Sequence, residues 1–397
     1  MANYKWLMLV GAAVAVAVVS SPAPSGAGIG DKLKKKAEDK ANKTTDDALN
    51  KADPAKTTTG ESTPPPADGT AAPGAAAGTG NINSVSTKFD YVPGDRVLFF
   101  DDFAQDELGE FPVHWKLKEG TLEVAELNGQ RWLRSTSITS RFAMKVPAAP
   151  ALPEFWTLEM DFYCGDTSGN VLNVFGMKGD NQSWALTFPY SGQSAYVESG
   201  KVTANTPLEG SPQIWGVPHH VMFMARGNAL KVYVDRQRVG NIPDIDLTNG
   251  APDNILFSLW SDKQPMISNV RFAEGNKPVA DPFADGKLVT YGIYFESGSD
   301  VVQPESAPVL RQIAAYLEAK PDVKIQIVGH TDNQGTADGN LDLSKRRAAA
   351  VASVLADQFK IAANRFQTDG MGDTQTVAGN DTAEGRAMNR RVEFSKL

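Results

Sequence analysis

Two hydrophobic rhythms run through this 397-residue chain, and one folded core cannot hold both. From about Phe89 to Ala273, apolar residues recur at every second position in short stretches. Leu158, Met160 and Phe162 alternate with Glu159, Asp161 and Tyr163; Leu230, Val232 and Val234 alternate with Lys231, Tyr233 and Asp235. A period of two buries one face and leaves the other wet or lightly covered. Asp235-Arg236-Gln237-Arg238 links Val234 to Val239 as a hairpin would. Pro and Gly punctuate the stretch at Pro147, Pro153, Gly165, Gly176, Pro189, Gly192 and Pro218. Short strands, frequent turn signals and no long helix predict an all-β antiparallel sandwich over 87–275.

After a short Gly/Pro-containing hinge at 276–286 the rhythm changes. Val289, Tyr291 and Ile293 alternate as a strand. Pro308 to Lys320 reads as a helix with Val309, Ile313, Tyr316 and Leu317 on one face and Pro321 closing it. Val323, Ile325 and Ile327 alternate again. A long helix is expected from Asn340 to Phe359, then strands near 365–370 and 391–394. Strands alternating with helices predict an α+β domain over 287–397. The chain is therefore multidomain, as its length suggests.

At the N-terminus, Lys5 precedes an apolar run from Trp6 to Val19, followed by small residues up to Ala27. The run is short for a membrane-spanning helix. It reads as a signal peptide over 1–27, with a retained anchor as the rival. No cysteine follows it to carry a lipid. Residues 28–86 read as a disordered tether: Asp53 to Asn83 is mostly Thr, Pro, Ala and Gly, including Pro64-Pro65-Pro66. Such a coil spans roughly 30 Å. Cys164 is the one cysteine, so no internal disulfide can form; it is expected buried at a strand end. Net charge is -8, with no basic stripe interleaved with aromatics. That excludes nucleic acid as a partner.

Chemistry concentrates in the last third. Gly329-His330-Thr331-Asp332 closes a strand, and Asn340, Leu343-Ser344 and Arg346-Arg347-Ala348 follow on the long helix. At about 100° per residue, Arg347 lies about 20° from Asn340. Leu343, Val351, Val354 and Leu355 lie within about 60° of the same direction. Arg347 thus sits on the apolar stripe while Arg346 points off it. A guanidinium there needs a partner, and Asp332 is near in the fold. Two readings stay open. The residues form a structural ion pair, or they stand apart and receive a zwitterion, Asp332 taking an ammonium and Arg347 a carboxylate. Diaminopimelate of bacterial walls carries both groups on one carbon.

The segments Ile293-Tyr-Phe-Glu-Ser297, Ile325-Gln-Ile-Val-Gly-His-Thr-Asp332, Asn340, Leu343-Ser344-Lys-Arg-Arg-Ala348, Gly370-Met-Gly372 and Gly385-Arg-Ala-Met-Asn-Arg-Arg-Val-Glu-Phe394 resemble the OmpA-like domain family. The resemblance covers about 110 residues. It implies a βαβαββ-type fold that binds the diaminopimelate of peptidoglycan non-covalently, with Asp332 and Arg347 as the clamp. Thr331, Asn340 and Arg391 would line the pocket. It further implies a protein of the periplasm or outer membrane that links the cell wall to the outer envelope. Phe99-Phe-Asp-Asp-Phe103, Pro112-Val-His-Trp115, Leu230-Lys-Val-Tyr-Val-Asp235 and Ile267-Ser-Asn-Val-Arg-Phe272 more loosely resemble a concanavalin A-like or laminin G-like jelly roll, a fold that often binds glycans.

The alternative function is therefore glycan binding or processing by the sandwich, with outer-membrane proteins or glycans as its partners. Trp156, Trp184, Trp215 and Trp260 could stack on sugars or belong to the core. Glu159-Met-Asp161-Phe-Tyr-Cys164 has Cys where a hydrolytic strand would place a third acid, so it does not read as an enzyme site. His330 is expected to be a structural rim residue, and His219-His220 a strand start rather than a metal site. No catalytic residue, metal or cofactor is expected.

Overall fold

The period-two stretches fold as strands. The computed structural model describes residues 81–146, 151–165, 171–190, 193–209, 215–260, 264–275 and 281–397. The expected signal peptide and nearly all of the expected tether lie outside them. One sheet holds eight strands: β1 (Arg96–Asp101), β3 (Leu122–Leu127), β4 (Gln130–Ser135), β6 (Phe155–Tyr163), β11 (Pro218–Arg226), β12 (Ala229–Val234), β13 (Gln237–Ile242) and β15 (Met266–Glu274). The other holds seven: β2 (Trp115–Glu119), β5 (Thr139–Met144), β7 (Val171–Lys178), β8 (Asn181–Tyr190), β9 (Ser194–Ser199), β10 (Val202–Pro207) and β14 (Asn254–Trp260). The first runs β13-β12-β11-β6-β15-β4-β3, with β1 also on β15; the second runs β10-β9-β8-β7-β14-β5-β2.

Leu158, Met160 and Phe162 of β6 and Leu230, Val232 and Val234 of β12 face the core between the sheets. Trp115 sits at one end of it, in edge contact with Phe99, Phe142 and Phe257 at 5.1, 5.4 and 5.5 Å. Each such buried side chain contributes about 1.5–3 kcal/mol. The hairpin after β12 is tighter than expected. Asp235 adopts φ 53°, and Val234 already pairs with Gln237. Cys164 follows β6 and is buried, which pushes its thiol up to about 12.

Beyond residue 286 come β16 (Lys287–Thr290), α1 (Ala307–Ala319), β17 (Ile325–Gly329), α2 (Ala337–Asp357), β18 (Phe366–Gly370), α3 (Ala383–Asn389) and β19 (Val392–Lys396). The sheet order is β16-β19-β17-β18, with β17 and β18 parallel and the other pairs antiparallel. The expected βαβαββ pattern thus gains a seven-residue helix before the last strand, capped by the Thr382 hydroxyl accepting from the Gly385 amide at 3.0 Å. The first strand ends at Thr290; Ile293 leaves the ladder to join the apolar cluster around Val309.

A Cβ at Gly329 would collide with the Ser344 carbonyl oxygen, and one at Gly370 with the Ser344 hydroxyl and the Lys345 amide. These glycines let α2 lie directly on the ends of β17 and β18. That contact sets the residues of α2 beside Asp332.

The two halves share a core, which the sequence reading did not anticipate. It assigns 81–86 to the tether, yet Ile82 and Val85 are buried, and with Phe89 and Tyr91 they form a strap. The strap packs with Met222, Met224 and Tyr233 of the eight-stranded sheet's outer face and with Val309, Leu310 and Ile313 of α1. Arg311 donates to the Val85 and Phe89 carbonyls at 2.9 and 2.8 Å. A second seam joins Val97 and Phe100 of β1 to Ala383 and Ala387 of α3. Of the expected hinge, residues 276–280 lie outside the described residues. Phe283, in the remainder, is buried against Tyr316 at 4.7 Å, because it is a large apolar side chain with a slot to fill.

Candidate ligand-binding cavity

A cavity of about 880 Å³ opens where β17 ends. His330, Thr331 and Asp332 leave the strand into it. Asn340, Leu343 and Arg347 reach it from α2, and Phe295 to Gly298 form a lip. Thr336 caps α2 by accepting from the Gly339 amide, which fixes the first turn. Asn340 Nδ2 donates to the Asp332 carbonyl at 3.1 Å and so ties the helix to the strand end.

Asp332 is buried, and both of its carboxylate oxygens are engaged. Oδ1 accepts from the Gln334 amide at 3.1 Å and Oδ2 from Arg390 Nη1 at 2.6 Å. Arg347 does not close on it. Its Nε donates to the Ser299 carbonyl at 2.9 Å, and its guanidinium lies over the Phe295 ring at 4.8 Å. Among the described residues Arg347 makes no ion pair, and its two terminal nitrogens carry no hydrogen bond. Burial lowers its pKa, as do Arg346 and Arg390 nearby, while Asp332 and Asp300 oppose this. An arginine remains charged regardless. Thr331 is buried, and its hydroxyl has no partner among the described residues.

The opposite wall is the outer face of the eight-stranded sheet. His220 of β11 and Asp161 of β6 are direct cross-strand partners. His220 Nδ1 bonds Asp161 Oδ1 at 2.7 Å, and Asn269 donates to Asp161 Oδ2 at 2.6 Å. Glu159 accepts from His220 at 3.3 Å, Arg271 at 3.2 Å and the Tyr294 hydroxyl at 2.9 Å. Burial alone would lower the His220 pKa. Its hydrogen bonds to Asp161 and Glu159 outweigh that and push it to about 10. Burial raises the Glu159 pKa, but His220, Arg271 and Tyr294 together hold it below its ordinary value.

Residues 294–390 match the model of the OmpA family. They form an OmpA-family domain. The chain is 40% identical over 103 residues to the probable lipoprotein YiaD of Escherichia coli (strain K12), covering 26% of this chain and 47% of that protein. It is 35% identical over 145 residues to the peptidoglycan-binding protein ArfA of Mycobacterium tuberculosis (strain ATCC 25618 / H37Rv), over 34% of this chain and 44% of that protein. The chain thus spans less than half the length of these two relatives. Among solved structures, the peptidoglycan-associated lipoprotein from Burkholderia pseudomallei is 30% identical with a TM-score of 0.26, over 30% of this chain and 100% of that one.

In the OmpA-family domain, Asp332, Arg347, Thr331 and Asn340 come together at one cavity. Arg391 borders the same cavity, but its guanidinium points into the protein, onto Glu393 at 2.8 Å and the Gln375 and Asn389 carbonyls at 3.1 and 3.4 Å. Arg390 is the arginine that meets Asp332. The two are adjacent past the end of α3, where sequence offers no helical phase to separate them. His330 is buried behind the rim rather than on it. Burial, with Arg391 beside it, takes its pKa down to about 4, so it is neutral at pH 7. On the sandwich wall the sequence points to Glu159 and Asp161 only as an incomplete hydrolytic strand, and nothing in it joins them to His220 and Asn269. The wall's one signal was the polar alternation of Glu159 and Asp161. Trp156 and Trp184 are core residues that stack on each other at 5.8 Å, Trp215 is partly buried, and Trp260 is exposed.

Proposed function

We propose that the chain binds peptidoglycan non-covalently through its OmpA-family domain, gripping the diaminopimelate of the stem peptide and linking the wall to the outer envelope. The protein works in the periplasm or at the outer membrane. The observation that carries this reading is Arg347. Among the described residues its two terminal nitrogens are unspent, at the rim of a cavity that also holds Asp332. Such a fork suits a carboxylate bidentately. Asp332, already balanced by Arg390, retains lone pairs for an ammonium on the same carbon. The name of the relative ArfA agrees with the reading. A single grip of this kind is modest, and the many copies in a sacculus retain the protein by rebinding.

Pull-down of the full chain on purified sacculi tests it. Arg347→Ala and Asp332→Ala are each expected to weaken retention about tenfold or more, the equivalent of a charged hydrogen bond worth about 1.5–3 kcal/mol. Free diaminopimelate should compete with the wild type. Undiminished retention in both variants, with the fold intact, rejects the site.

No catalytic role is proposed for the sandwich, because Glu159 is occupied by three donors.

A further inference from the structure

The outer face of the eight-stranded sheet changes character along its strands. Met222, Met224 and Tyr233 are apolar and covered by the strap and α1. Two residues back along β11 from Met222 the face becomes polar, at His220 with Asp161 opposite. That is where the cavity begins, with Tyr294 bridging to Glu159 at its edge. A sheet face that only needed covering would have stayed apolar.

The two walls differ in kind. The OmpA-family wall presents Arg347 and Arg390, which only donate, beside the acid Asp332 that Arg390 already meets. The sandwich wall presents acceptors. Asp161 has two lone-pair positions taken and about two left. The Asn269 Oδ1 has no partner among the described residues, and the Asp235 carboxylate, 43% exposed, meets the His220 amide at 3.1 Å and His219 Nδ1 at 3.0 Å with about two lone pairs left. Yet the wall is not a cation trap. Asp161 is paired with charged His220, and Glu159 with Arg271. Acceptor-rich and nearly neutral, it suits amide N–H and hydroxyl groups rather than a second ammonium.

Asn269 and Asp235 also adopt left-handed backbone, at φ 50° and 53°. Asn and Asp take this conformation more readily than other side-chain-bearing residues, and Asp235 takes it in closing the β12–β13 hairpin. Across the cavity, the buried Thr331 hydroxyl has no partner among the described residues. The volume of about 880 Å³ lies at the upper end of ligand pockets, well beyond what one amino acid fills.

We propose that the sandwich supplies the second wall of the wall-binding site, with Asp161, Asn269 and Asp235 accepting hydrogen bonds from the amide and hydroxyl groups of a muropeptide beyond its diaminopimelate head. The inference rests on the reading of Arg347 and Asp332 given above. It makes the recognised unit a sugar-linked peptide, not the amino acid alone. Because the strap and the β1–α3 seam fix the two walls, little ordering cost is left for the ligand to meet.

Calorimetric titration of the full chain with free diaminopimelate and with a muramyl tripeptide ending in diaminopimelate tests this. The wild type is expected to bind the tripeptide at least tenfold more tightly. Asn269→Gly and Asp235→Gly remove the acceptors without straining the backbone, since glycine accepts positive φ; the first also removes a donor to Asp161, and the second the acceptor of His219 and the His220 amide. Either should bring the tripeptide down towards diaminopimelate and leave diaminopimelate itself unchanged. Asn269 lies on β15 and Asp235 in the β12–β13 turn, so the two variants guard against a folding failure in one. Equal wild-type affinity for both ligands overturns the inference while leaving the grip intact. So does an unchanged preference in both variants, or an equal loss of both ligands. If the wild type binds neither, the grip itself is wrong and the second wall falls with it.

Discussion

Arg347 and Arg346 are neighbours in sequence with opposite fates, and helical phase alone separates them. Arg346 is exposed and paired with Asp342 and Asp300 at 2.8 and 2.6 Å, while Arg347 turns inward to the cavity. The acid that meets an arginine was less legible. Asp332 pairs with Arg390, 58 residues on, a contact that only the packing of α3 creates. His220 gives a residue-scale prediction. Its folded pKa, about 10, exceeds its ordinary value of about 6.5. Its contribution to stability is therefore complete below about pH 6.5 and disappears as pH climbs through about 10. Thermal midpoints should fall over that window in the wild type. The difference between the wild type and His220→Gln should shrink correspondingly; a constant difference across the window argues against a charged His220.

Elements were more legible than contacts. Both long helices and all four strands of the C-terminal half were expected near their observed places; most carry a clear apolar period, though β18, Phe-Gln-Thr-Asp-Gly, does not. The short helix α3 was not, because Ala383–Asn389 spans barely two turns with a glycine inside it. The sandwich's rhythm was readable as strands, but which strands pair was not, because alternation carries no register across a long crossover. The contact of α2 with β17 and β18 depends on two missing side chains. Gly329→Ala would force the helix off the strand end. It is expected to cost about 1–3 kcal/mol, as overpacking does. Urea denaturation would register this as a lower midpoint with an unchanged slope. A variant as stable as the wild type would mean that the helix gives way easily there.

For the molecule as a whole, the sequence suggested two bodies on a hinge, and the structure has two halves sharing an apolar cluster. Lys231, Tyr233 and Asp235 had read as a wet or lightly covered face. Tyr233 is fully buried, in edge contact with Phe89 at 5.5 Å. The clue lay in β11, where Val221-Met222-Phe223-Met224-Ala225 is apolar without alternation. Such a run marks a strand buried on both faces. Calorimetry on the full chain should therefore give one cooperative transition for both halves. Met224→Ala, on the shared side of the sheet, should lower it by about 2–5 kcal/mol without splitting it. Two separate peaks in the wild type would return the hinge to favour.

The strap also decides where a mechanical load enters. It is the first described stretch of the chain, so tension travelling along the backbone from before residue 81 arrives at Ile82. There it meets a wedge gripped from two sides, by the sheet through Met222 and Met224 and by α1 through Arg311. A pull is thus divided between both halves in parallel, instead of passing through one to reach the other. Such a load would shear the strap before it pried open the pocket.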